Sequence, residues 1–254
     1  MSQQTEAFAG NRRAAKNTAE RTVTSRHGAT LAGTAMLVLL LSSTGAAAAS
    51  CKSSPEPGID WQGCKKANLI LQGADLKGAT LVNTDFSETD LRRADLRDAN
   101  MEKATLLRAS LAGANADGAN LAKVEAYRID LSGASANNAS FASAELQRGK
   151  FIDASLKDSD FQKAELGRAE FTGSAFAGNS FALANLSRAD FRGATIEGPI
   201  DLSGAFLFLT RFEGINLSSA TGLNQEQIDI SCGDEGTVLP EGLSAPAGWP
   251  CTFE

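Results

Sequence analysis

Between residues 69 and 198 the chain repeats every five residues, in 26 consecutive blocks running from LILQG and ADLKG to ADFRG and ATIEG. The third residue of every block is apolar, mostly Leu or Phe. The first is Ala in 17 of the blocks, the second is mostly polar, and the fourth and fifth are mostly polar or Gly. Small-in, polar-out, large-in is the alternation of a short strand, and the polar or Gly pair that follows suits a turn. A five-residue period does not fit the 3.6-residue period of an α-helix. The chain is therefore predicted to extend for about three residues, turn and repeat.

A chain that turns so often must coil or fold back, and a longer period decides between the two. Side chains recur in type every fourth block. Phe151, Phe171 and Phe191 form one series, and Phe141, Phe161 and Phe181 form another, two blocks away and so on the opposite side. Ala116 and Ala136 share a third side with Ala126 opposite, and the nearby Val124 and Ile129 are placed to fill the narrowed core. Four blocks per turn predict an all-β, four-sided solenoid whose interior is filled by inward side chains. Upstream, IDWQG and CKKAN keep the register; downstream, Pro199 inserts one residue and four more blocks follow to residue 219. About eight coils at roughly 4.8 Å each make a rod about 40 Å long.

The motif A-[DN]-[LF]-x-x, as in ADLKG, ADLRD, ANLAK and ADFRG, resembles the pentapeptide-repeat family. The resemblance implies a right-handed quadrilateral β-helix. It also brings a precedent: members of the family mimic duplex DNA with an acidic rod and protect DNA gyrase from quinolones. With its signal and its cysteine-bearing flanks, this chain looks more like the exported bacterial members.

The flanks are of another kind. Arg12, Arg13, Lys16, Arg21 and Arg26 precede a charge-free stretch over residues 28–50 that contains MLVLLL and ends in AAAAS. This order reads as a secretory signal over residues 1–50, cut near Ala48 to Ser50. Lipidation of Cys51 or a retained N-terminal anchor are the lesser alternatives. The expected mature chain has 24 − 5 = 19 basic and 30 − 2 = 28 acidic residues, a net charge of −9, and no histidine once His27 is gone. Residues 51–68 are expected to cap the first coil, with Trp61 as a plug, and residues 69–219 to form the β-helix. Residues 220–254 are expected to form a C-terminal cap with a short helix and a proline-rich tail. That helix would be N-capped by Asn224, with Gln227 completing the cap and Gly233 stopping it.

Four cysteines allow three pairings. A disulfide needs Cα atoms within about 7 Å, and the rod holds its ends far apart. Cys51–Cys64 and Cys232–Cys251 are thus predicted, stapling the two ends in an oxidising compartment.

The composition narrows the function. Without histidine the commonest general base and metal ligand are lost, and no nucleophile motif, phosphate loop or metal spacing replaces them. No enzyme, cofactor or metal site is expected, and no membrane span after signal cleavage. The acid excess argues against nucleic acid as a partner. The expected function is an exported, non-catalytic scaffold for an unidentified protein or cell-envelope component; the alternative is a DNA mimic acting on an enzyme such as gyrase. One surface feature stands out. Arg108, Arg128, Arg148, Arg168 and Arg188 recur every twenty residues, a candidate anion patch. Glu125, Glu145 and Glu165 precede the row and Asp130, Glu170 and Asp190 follow it, so the row is expected to be neutralised by acid and mainly structural.

Overall fold

The computed structural model describes residues 50–252. The expected signal therefore lies outside the described residues except for Ser50. From Asp60 to Ala175 the second residue of each block bridges in parallel to the residue twenty positions later, as in Asp60↔Thr80, Glu125↔Glu145 and Glu170↔Asp190. Four blocks close one coil and the fifth stacks on the first, giving four faces joined at four corners. Among the described residues two strands are longer than a single bridge: β1 (Ala175–Phe176) and β2 (Thr195–Ile196), paired in parallel. The extended part of most blocks is thus shorter than expected, one bridging residue between two buried ones.

The hydrogen bonds explain the motif position by position. Asp95 donates its N–H to Ala74 O (2.9 Å) and accepts at its carbonyl from Leu76 N–H (2.8 Å), so the second residue pairs with the coil below through both groups. The fifth residue makes a corner bond, as in Gly78 N–H to Arg97 O (2.8 Å), and the first closes a turn, as in Ala79 N–H to Leu76 O (3.0 Å). That leaves the fourth N–H. It donates to the side chain of the second residue two positions back: Lys77 to Asp75 (3.2 Å), Ala122 to Asn120 (3.1 Å) and Gln162 to Asp160 (2.9 Å). Asp and Asn recur at the second position because a short carbonyl-bearing side chain reaches that donor.

Inside, the rings stack along the rod. Phe161 lies 4.8 Å from Phe141 and 5.0 Å from Phe181, nearly parallel to both. It meets Phe151 of the opposite series edge-on at 6.0 Å. Both arrangements suit the charge distribution of aromatic rings. In the narrow segment Ala116, Ala126, Ala136, Val124 and Ile129 are fully buried. A Cβ on Gly149 would sit 3.1 Å from a Phe151 ring carbon and 3.3 Å from an Ile129 methyl. It would also sit 3.0 Å from Leu146 O, so Ile129, Phe151 and the local backbone together leave little room for a side chain one coil above Ile129.

Both ends are stapled. Cys51 bonds Cys64 and Cys232 bonds Cys251, with Cα separations of 5.3 and 5.5 Å. Trp61 is fully buried, as expected of a plug. Lys66 lies over its ring at 3.5 Å and donates to Cys51 O (2.9 Å), and burial pushes its ammonium pKa down. At the other end α1 (Gln225–Asp229) has Asn224 as N-cap in a capping box with Gln227. The helix stops at Ile230 rather than at Gly233. Gly233 serves Trp249 instead: a Cβ there would fall 2.4 Å from the indole.

Candidate functional site

Each corner of the rod is a four-residue turn whose third member is the fifth residue of a block. At that place the backbone has positive φ in glycines and non-glycines alike. Positive φ with no side-chain oxygen to help costs a non-glycine residue about 1–2 kcal/mol. One corner is met largely by glycine: Gly73, Gly113, Gly133, Gly173 and Gly193. Another holds the five arginines, with φ from 55° to 59°. Stacked coils bring neighbouring arginine Cα atoms to roughly 4.8 Å, and unit charges at that separation repel by about 0.9 kcal/mol in water.

The structure brings the row together and corrects its surroundings. Arg108 alone of the five pairs with a carboxylate, that of Glu88 one coil below. Among the described residues Arg128, Arg148 and Arg168 make no ion pair with the flanking acids. Glu165 instead accepts from Asn185 Nδ2 (2.8 Å). The guanidinium of Arg128 lies 5.3 Å from the Tyr127 ring, and that of Arg188 lies 5.9 Å from the Phe208 ring. Acids do stand on both sides of the row, but Arg128, Arg148 and Arg168 are not neutralised by ion pairs with them. The glutamates occupy the preceding face, and Arg108, Arg128, Arg148 and Arg168 border an open groove of about 500 Å³ over the following one. That face supplies Asp130, Lys150 and Glu170 to the groove. Lys150, whose backbone bridges to Asp130 below and Glu170 above, was absent from the expected acid row. The groove thus has five cationic and two anionic side chains, all at least partly exposed. Among the described residues no group of His, Cys, Asp or Glu is placed to hold a metal ion.

Elsewhere three arginines are satisfied within their own blocks. Arg92, Arg97 and Arg192 each fold back on the second-position aspartate of their own block. The Arg92 guanidinium on Asp90 holds that carboxyl down at about 2. The contrast is one of position: a fourth-position arginine reaches the aspartate beside it, whereas a fifth-position arginine starts beyond the corner.

A family model for pentapeptide repeats matches residues 70–106, 127–162 and 154–193. These segments carry pentapeptide repeats, and the coil they build, four blocks to a turn, is the right-handed quadrilateral β-helix of that repeat. Similar solved structures include a trypsin-treated form of QnrB1, a plasmid-mediated fluoroquinolone resistance protein. It is 19% identical, with 73% of this chain and 82% of that one covered and a TM-score of 0.48. HetL, involved in heterocyst differentiation regulation in the cyanobacterium Nostoc sp. strain PCC 7120, is 26% identical with 76% and 94% covered and a TM-score of 0.27. A pentapeptide-repeat protein of the Arabidopsis thaliana thylakoid lumen is 25% identical with 46% and 68% covered and a TM-score of 0.23. No curated protein matches the chain.

Proposed function

We propose that the protein is an exported, non-catalytic rod that presents its faces to a partner in an oxidising compartment, with residues 1–50 as its signal. The observation that carries this reading is the pair of end disulfides. Such bonds persist outside the reducing cytosol, and here they close the caps on which both ends of the rod depend. The Cys51–Cys64 bond also occupies the sulfur that a lipid anchor would need. No helix among the described residues is long and apolar enough to cross a membrane.

The core supports a scaffold rather than a ligand cavity, because Phe and Leu side chains fill it from face to face. A DNA mimic would need an unbroken acidic surface, and the arginine corner interrupts it. Fractionation of tagged protein with N-terminal sequencing of the processed form tests the reading. A mature N-terminus near Cys51 in the exported fraction is expected. Intact chain in the cytoplasm would overturn export and return the DNA mimic to first place.

A further inference from the structure

We propose that the arginine corner is a binding groove for a linear acidic polysaccharide, one carrying carboxylates on successive sugars and lying along the rod axis. The proposal deepens the scaffold reading and rests on it only for where the ligand is met.

Three observations carry it. First, the fold does not call for arginine here. The corner met by Gly73, Gly113, Gly133, Gly173 and Gly193 shows that glycine serves the same turn. Five arginines in the left-handed region are strained and mutually repelling, and an anion laid along them would relieve the repulsion. Second, Arg128, Arg148 and Arg168 are left without carboxylate partners while other arginines of the rod fold onto their own aspartates. Their guanidinium groups remain free to take a carboxylate through two parallel hydrogen bonds. Third, Lys150 interrupts the acids of the following face at mid-groove, setting one more cation between Asp130 and Glu170.

The geometry selects the kind of polyanion. The cations repeat once per coil along a straight line, so a matching ligand is extended and carries about one charge per coil spacing of roughly 4.8 Å. A chain of pyranose acids advances by a comparable length per sugar. A wide polyanion such as duplex DNA would overhang the stacked Glu125, Glu145 and Glu165 on the preceding face and meet a chain of net charge −6. A single narrow polymer confined to the groove avoids them.

The test uses the full chain and polygalacturonate, with neutral dextran, single-stranded DNA and inorganic polyphosphate alongside, in affinity electrophoresis at low salt. Wild type is expected to be retarded by polygalacturonate and not by dextran. The double variant Arg148→Glu with Lys150→Glu should bind at least tenfold more weakly. Lys163→Glu, a charge reversal at the preceding corner, should stay within twofold of wild type. Should the double variant melt early, Arg148→Gly is read instead, since glycine suits the backbone at that position; a loss of severalfold is expected. Absence of wild-type binding, equal weakening by Lys163→Glu, undiminished binding by Arg148→Gly, or tighter retention by the DNA or polyphosphate would each overturn the proposal. Binding to the purified chain is read independently of its compartment, so this result and the test of export can fail separately.

Discussion

Before Pro199 every bridge joins residues twenty apart, whereas beyond it partners lie 20, 21 or 22 apart. In the regular coils the backbone satisfies itself, helped in many blocks by a second-position aspartate or asparagine. Where the register slips, side chains take over. Gln227 Nε2 donates to Leu202 O (3.0 Å) and Ala205 O (2.8 Å), and Asp234 accepts from Gly214 N–H (2.9 Å) and Gly236 N–H (3.0 Å). Apolar residues also surface here: Phe206 and Phe208 stand exposed at positions that are polar in most earlier blocks, their rings 6.2 Å apart. Repetition thus gives stability that is spread evenly along the rod. The irregular end depends on a few particular groups and on a covalent bond.

The sharpest way to break this comparison is in the aromatic core. Phe161→Ala is expected to cost about 3–5 kcal/mol, because rings above, below and across hold the cavity open. Gln162→Ala, one residue on and outward, should stay within about 0.5 kcal/mol. Similar thermal melting losses in the two variants would contradict the assignment of inner and outer positions.

At the irregular end, replacing Cys232 and Cys251 together with Ala should cost about 2–4 kcal/mol. If the two regions are held as described, hydrogen exchange should rise around residues 223–249 and change little at the Phe141–Phe161–Phe181 stack. Uniform loss of protection would mean that the rod depends on its cap throughout.

Gly149→Ala probes the narrow segment and should cost about 1–3 kcal/mol through overpacking against Ile129 and Phe151. Ile129→Ala in the same chain should recover part of that loss, giving a measurable coupling in a double-mutant cycle. Purely additive losses would refute the contact. Asp160→Ala, which strips the acceptor from the Gln162 N–H, is expected to cost about 1 kcal/mol, and Asp160→Asn much less. Equal melting points for all three chains would remove the role assigned to the second position.

The smallest effect concerns pH. Asp90 titrates at about 2 in the fold, against about 3.9 when unfolded. A depressed carboxylate contributes stability that is fully present above about pH 4 and is lost as pH falls toward 2. Asp90→Asn should therefore narrow its melting difference from wild type across that window. A difference that does not change with pH would show that the pairing with Arg92 is absent in solution.

The five-residue pattern determined more than the fold class. It assigned the inward residues, the twenty-residue coil and the opposed phenylalanine series, because a strict repeat translates sequence distance directly into position. The end disulfides followed from the same geometry, and the Asn224 cap from local capping chemistry. Three things were decided only in three dimensions. The second-position side chain proved to be a backbone acceptor, a role that appears once the other N–H groups have found partners in the next coil. Gly149 proved to be crowded by Ile129, twenty residues earlier, together with Phe151 and Leu146 O, and Gly233 by Trp249 in the tail. The arginine row, which the sequence surrounds with acid, turned toward the face that holds Lys150. A linear pattern fixes which residues share a corner. Which neighbour a long flexible side chain meets is set by the direction in which it leaves that corner, and the left-handed backbone at Arg108, Arg128, Arg148, Arg168 and Arg188 supplies that direction.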